Sequence, residues 1–283
     1  MSFKRLVRFI SEDKQIYFGD AILPTNSSDA RSSTEAYKIT GDIFSNYSIT
    51  SEKLPIKKLL SPLDSNRVGT VRMIGMNYRK HAEEINLPIP KWPCLFYKPS
   101  TALHHPNDDV IVPKIAQIDG AKIDYEAELV VVIGKQAKDV SEGNALDYVL
   151  GYTTGNDLSQ RTWQVERGST QFSLGKMFDT WAPIGPAIVS PSLIPDPNNL
   201  HISSKVNDEI RQDSNTLDAI FSVRELISFL SQGTTLQPGD LIFTGTPQGV
   251  GNGFKPPKWV KNKDIIEIEV ENIGTIKNRF QFD

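Results

Sequence analysis

The chain holds a single cysteine, Cys94, among 283 residues. No intrachain disulfide can form, and nothing marks an oxidising compartment. Histidine is scarce, four in all, and no Cys or His pair has the spacing of a zinc site. No stretch approaches the roughly 20 apolar residues that span a bilayer; the longest β-branched run, Leu129 to Ile133, is strand-sized. An excess of one charge sign is missing too: 31 Lys and Arg face 34 Asp and Glu, a net charge of -3. Neither nucleic acid nor a membrane is therefore expected as a partner. Lys4, Arg5 and Arg8 are followed at once by Glu12 and Asp13, with no apolar signal-peptide core. A cytoplasmic protein is expected, with mitochondrial import as the alternative. The Gly-rich stretch Thr244 to Gly251 matches neither G-x-x-x-x-G-K-[ST] nor G-x-G-x-x-G, so no nucleotide is implied.

With 39% hydrophobic residues the chain can bury a sizeable core. Short segments rich in Val, Ile, Tyr and Phe read as strands: Arg5–Ile10, Gln15–Leu23, Val71–Met76, Cys94–Tyr97, Glu126–Ile133, Leu200–Val206, Leu241–Thr244 and Ile265–Val270. Pro24 to Glu35 reads as a loop, and Pro62, Asp64, Ser65 and Asn66 as turn chemistry. Residues 1–67 are expected as a small β-rich extension and 68–283 as the main body. Ser222 and Glu225 form a capping box ahead of a helix whose Val223, Leu226, Ile227 and Leu230 share a face. A second helix is expected over Leu158 to Glu166. The fold class is α+β, dominated by β.

Glu126 and Glu128 stand two apart at the start of the β-branched run, so an extended chain points both carboxylates to one face. Such repulsion disfavours burial unless a hard cation compensates it; the plain alternative is a wet strand face. Asp157, ending the Gly151 to Asp157 segment, is either a third oxygen ligand or a helix N-cap. Spacing alone does not choose.

Six blocks occur in order: Ile74 to Glu84 (IGMNYRKHAEE), Phe96 to Ser100 (FYKPS), Asp124 to Leu129 (DYEAEL), Gly151 to Asp157 (GYTTGND), Gly175 to Asp179 (GKMFD) and Thr244 to Gly251 (TGTPQGVG). Together they resemble the fumarylacetoacetate hydrolase superfamily. The resemblance implies a mixed β-sandwich roll with Mg²⁺ or Mn²⁺ on Glu126, Glu128 and Asp157, chelating a 2-oxo acid and stabilising an enolate. It implies that His81 and Glu84 act as general base and orienter, and that Lys176 steadies a developing charge. Arg161, Gln164, Gly245 and Thr246 would hold the substrate's carboxylate or distal oxygen, with Lys98 and Ser100 supporting the pocket floor. On residue pattern alone His81 is a surface helix histidine. Adjacent His104 and His105 would face opposite ways in a strand, and with His201 they are read as structural or exposed.

The expected activity is metal-dependent hydrolysis of a C–C bond in a short 2,4-dioxo acid such as an acylpyruvate or fumarylpyruvate. The alternatives are oxaloacetate keto–enol tautomerisation or decarboxylation at the same site, and a non-catalytic metabolite-binding role. A homodimer is expected from the resemblance.

Overall fold

The β-branched run becomes the strand Ala127–Ile133, buried at every position. A strand buried on both faces needs apolar residues on both, which explains why it is continuous rather than alternating. Leu129, Val131 and Ile133 join one core cluster, and Val130 and Val132 join another. The computed structural model describes residues 2–118 and 120–283.

The central sheet runs in space Tyr47–Pro55, Glu35–Gly41, Ile16–Ile22, Arg5–Ile10, Ala182–Val189, Val149–Asn156, Ala127–Ile133, Leu241–Phe243, Val71–Gly75, Cys94–Lys98. A five-stranded sheet, Glu209–Asn215, His201–Val206, Ile265–Val270, Gly274–Phe282 and Val110–Val112, stands against it. The larger core cluster lies between the two, where Leu129 and Val131 meet Ile202, Ile268 and Ile276. The fold is β-dominated α+β. Strands from residues 1–67 extend the central sheet through Arg5↔Val189 and Leu6↔Ile188.

The capping box at Ser222 forms as expected, and the helix is Val223–Ser231. The helix expected over Leu158 to Glu166 does not form as read. Ser159–Gln160 pairs with Ile123–Asp124 in a short ladder, and a π-helix follows over Trp163–Arg167. The Gln160 Oε1 accepts the Trp163 N–H at 2.9 Å, so Gln160 serves the start of the later turn while its backbone belongs to the ladder.

His104 and His105 make structural hydrogen bonds, with Asp109 O and Ser61 N respectively, but do not face opposite ways. Only Leu103–His104 is strand, and the two imidazoles stack at 5.7 Å between centroids. The Ser61 N–H donates to His105 Nδ1 at 3.0 Å, which requires that nitrogen to be unprotonated. Burial holds both rings below the ordinary histidine value, against the pull of Asp108 on each. A depressed folded pKa gives stability that is full above the unfolded value and is lost as pH falls through the folded one. Urea midpoints are therefore expected to drop between about pH 7.5 and 5.5, and His105→Gln to flatten that slope. An unchanged slope in the variant would sink the assignment.

Candidate active site

Two neighbouring strands bring the carboxylates together. Glu126 and Glu128 have the same parity as Val130 and Val132, and the register Ala127↔Asn156 and Glu128↔Gly155 carries Asp157 to the same end of the sheet. The Asp157 N–H closes the junction on Glu126 O at 2.9 Å. One oxygen from each of Glu126, Glu128 and Asp157 lies within 4.8 Å of the others, and all three residues are buried. The N-cap alternative for Asp157 is overturned, since a strand follows it.

Three cations face this cluster. Lys176 Nζ is 2.9 Å from Glu126 Oε2 and 2.6 Å from Asp157 Oδ2. Lys98 Nζ is 2.8 Å from Asp157 Oδ1 and donates to the carbonyls of Leu158 and Trp181 at 2.9 and 2.6 Å. Arg161 Nη2 is 2.7 Å from Glu126 Oε1 and 2.8 Å from Asp124 Oδ2. Burial works against ionisation of Glu126, but Lys176 and Arg161 prevail and hold it below the carboxylate range. Glu128 goes the other way: burial, then Asp157 and Glu126, push its carboxyl well above that range. Its Oε2 accepts the Gly245 N–H at 2.6 Å. Burial lowers Lys98 to about 8 despite Asp157 beside it.

Asp124, Glu126, Glu128 and Asp157 thus exceed their three cations by one charge, and the uncompensated one falls on Glu128. An all-oxygen set with surplus negative charge fits a hard divalent cation, Mg²⁺ or Mn²⁺, better than a softer one.

A cavity of about 900 Å³ opens beside the cluster, with His81, Glu126, Arg161, Gln164, Lys176 and Thr246 on its wall. His81 is not a surface residue: it is 7% exposed on the short helix Arg79–Glu84. Its Nδ1 is 3.0 Å from Glu84 Oε2. A carboxylate accepts, so in the neutral imidazole the tautomer matching this contact has its proton on Nδ1 and its lone pair on Nε2. Glu84 Oε1 accepts the Gly249 N–H at 2.8 Å, and a Cβ at Gly253 would collide with the same carboxylate. The helix is thereby docked on the Gly-rich segment. Gly245, at φ +96°, lies in the left-handed region favoured by glycine, and an added Cβ would be 2.7 Å from Asn77 Cβ.

Several expected substrate contacts are engaged within the protein. The Gly245 N–H serves Glu128, Arg161 serves Glu126 and Asp124, and Arg161 Nη1 donates to Gln164 Oε1 at 2.9 Å. The Thr246 hydroxyl accepts from Gln212 Nε2 at 2.8 Å. Lys98 reaches the cluster, whereas Ser100 opens the 3-10 turn Ser100–Ala102 and does not line the cavity.

Asp124 was missed in sequence. Fully buried, it accepts N–H groups from Tyr125, Gly251 and Asn252 at 2.9, 2.6 and 2.9 Å, and Arg161 Nε at 2.9 Å. Its only sequence signal is a position two before Glu126, indistinguishable from a turn aspartate. Asp124→Asn keeps the shape but removes the charge facing a buried guanidinium, and such losses cost about 3–5 kcal/mol. A urea midpoint within error of wild type would contradict this.

A β-rich fold with three buried carboxylates beside a His–Glu pair is an arrangement that could hold a divalent metal in an enzyme site. The family model described as fumarylacetoacetate (FAA) hydrolase C-terminal matches residues 70–281, and the chain belongs to the fumarylacetoacetate hydrolase superfamily. It is 46% identical over 241 residues to the fumarylacetoacetate hydrolase domain-containing protein 2 homolog of Dictyostelium discoideum, covering 81% of this chain and 77% of that one. It is 44% identical over 213 residues to the oxaloacetate tautomerase FAHD2A, mitochondrial, of Bos taurus, covering 75% and 67%. The structure of 2-hydroxyhepta-2,4-diene-1,7-dioate isomerase from Mycobacterium marinum superposes with a TM-score of 0.82 at 32% identity, covering 99% of both chains.

Proposed function

We propose that the protein is a Mg²⁺- or Mn²⁺-dependent hydrolase that cleaves a C–C bond in a 2,4-dioxo acid of the acylpyruvate or fumarylpyruvate kind. The observation that carries this is His81, buried on the wall of the cavity that also exposes Glu126 and oriented by the half-buried Glu84 behind it. A divalent ion held by Glu126, Glu128 and Asp157 supplies Lewis-acid polarisation of the 2-oxo acid head and stabilises the negative charge that develops there. The chain's own residues do the rest. His81 Nε2 takes a proton from water, whose oxygen attacks the distal carbonyl. The bond between that carbon and the neighbouring methylene breaks, its electron pair leaving as pyruvate enolate beside the new carboxylic acid, and the proton held on His81 Nε2 returns to the enolate to release pyruvate. Glu84 fixes the imidazole tautomer, while Lys176 keeps Glu126 ionised and holds Asp157 in place through its 2.6 Å contact. Arg161, Gln164 and Thr246 line the pocket around the substrate oxygens, and Gly245 holds Glu128 through its N–H.

A second reading is oxaloacetate keto–enol tautomerisation, with decarboxylation as its variant. It needs proton transfer at the same carbon without an attacking water, and the names of the bovine and other FAHD2 relatives favour it. The working form under either reading is a homodimer acting on a small molecule, without nucleic acid or membrane. Cytoplasmic placement is proposed, and the printed names of those relatives support the mitochondrial alternative.

The test is a paired assay with Mg²⁺ and with EDTA, following acylpyruvate consumption and oxaloacetate exchange and decarboxylation in parallel. Metal-dependent release of pyruvate and acid supports hydrolysis. Fast metal-dependent oxaloacetate turnover without hydrolysis supports the second reading. Silence in both with intact ligand binding would point to the non-catalytic role.

A further inference from the structure

Among the described residues on the cavity wall are the lysine and arginine side chains of Lys122, Arg161 and Lys176, and they are not equally committed. Arg161 and Lys176 are paired with carboxylates of the cluster at 2.6 to 2.9 Å. Lys122 is different. Its ion-pair partner, Glu166, is 3.7 Å away, and the two side chains are 41% and 66% exposed. Exposed pairs of this kind contribute little, so Lys122 can exchange partners at small cost. Its backbone, by contrast, is held: the Lys122 carbonyl accepts the Arg161 N–H at 3.0 Å, and the Ile123 carbonyl accepts the Val260 N–H at 2.9 Å. The ladder of Ile123–Asp124 with Ser159–Gln160 begins one residue on. Lys122 thus sets an exposed ammonium on a fixed base beside Arg161.

The residue after Arg161 supplies a second observation. Thr162 lines the same cavity and is buried with its hydroxyl unpaired. Buried hydroxyls in folded proteins nearly always have a partner, and a ligand oxygen would provide one. Charge bears on what that ligand is. The cluster's one surplus negative charge becomes one surplus positive charge with a divalent ion bound, which the carboxylate of a single 2-oxo acid head neutralises. Among the described lining residues, Lys122 is the lysine or arginine left to receive a second carboxylate on the same molecule.

We infer that Lys122 receives the distal carboxylate of a dicarboxylic 2-oxo acid, displacing Glu166, and so makes the site select dicarboxylates over monoanionic acids. A fumarylpyruvate-like acid and oxaloacetate both belong to that class, so the inference rests on the reading of the site as one for 2-oxo acids but not on which bond changes. Calorimetry on the Mg²⁺-loaded protein, with saturated 2-oxo acids longer than oxaloacetate and without a cleavable dioxo unit, reads binding apart from turnover. Straight-chain acids of increasing length are compared in pairs, one ending in carboxylate and the other in methyl. At the length that reaches Lys122 the carboxylate-ended acid is expected to bind about tenfold more tightly, as for one charge-assisted hydrogen bond. Lys122→Gln should bring that ratio close to one and leave the methyl-ended acids unchanged. Glu166→Gln, which removes the competing carboxylate, should raise it. Both side chains are exposed, so urea midpoints should stay close to wild type. A wild-type ratio of one or below at every length, or a ratio that Lys122→Gln leaves intact, would overturn the inference while the 2-oxo acid reading stands. If the ratio is high and falls in Lys122→Gln while no dioxo acid is cleaved, hydrolysis fails and the inference holds. Failure of every 2-oxo acid to bind would remove both.

Discussion

Replacing His81 with alanine is expected to lower metal-dependent turnover by about 10²–10⁴-fold, the range for removal of a positioned general base, with little change in ion affinity. The separation follows from the geometry. His81 belongs to the helix Arg79–Glu84, whereas the three carboxylates come from the ends of two sheet strands and are held by Lys98, Lys176, Arg161 and Gly245. Loss of the imidazole therefore removes a proton acceptor without disturbing the ion's ligands. Because His81 contributes in the proton-transfer step, the fall should appear in kcat more than in KM. Glu84→Gln keeps the bulk and loses the charge behind the imidazole, so it should lie between His81→Ala and wild type. Steady-state kinetics together with calorimetric Mg²⁺ titration decide the matter. Turnover preserved in His81→Ala would sink the His81–Glu84 assignment and favour enolate chemistry that needs no attacking water.

The parts of this site that were legible in sequence are those tied to a backbone period. Alternation along a strand placed Glu126 and Glu128 on one face before any fold was known, and the capping box announced the helix at Val223–Ser231. Asp157 was ambiguous because an aspartate after a strand caps a helix as readily as it binds an ion; pairing of Ser159–Gln160 with Ile123–Asp124 removes the cap alternative. Asp124 had no period at all, and only the folded chain shows four donors converging on it. Ala182–Val189 escaped notice because Pro183 and Pro186 argue against a central strand. The ladder accommodates them by jumping from Tyr152↔Val189 to Thr154↔Gly185, a bulge that spans Pro186. Tyr47–Pro55 lies at the sheet edge with no position buried, so it lacks the apolar signal by which strands are recognised.

Glu128→Gln is expected to move ion binding and ion-free stability in opposite directions. The wild-type carboxylate is fully buried beside Asp157 and Glu126 and is pushed well above its ordinary value, so the ion-free fold retains a proton that the unfolded chain releases. A raised folded pKa gives stability that is full below the unfolded value and is lost as pH rises through the folded one. The ion-free wild type should therefore weaken from about pH 5 to 8 relative to Glu128→Gln, whose amide carries no charge and can still accept the Gly245 N–H. His104 and His105 produce a slope of the opposite sign in both proteins, and it cancels in the difference. Divalent ions reverse the ranking. At 100 times the dissociation constant a ligand stabilises the fold by about 2.7 kcal/mol, and the variant, with one charged ligand fewer, should lose nearly all of that. The ion must displace the Glu128 proton, so wild-type affinity should also rise with pH across the same window. Denaturation curves with and without Mg²⁺ at three pH values measure all of these effects. A variant that is less stable than wild type without the ion, yet equally stabilised by it, would remove Glu128 from the metal centre.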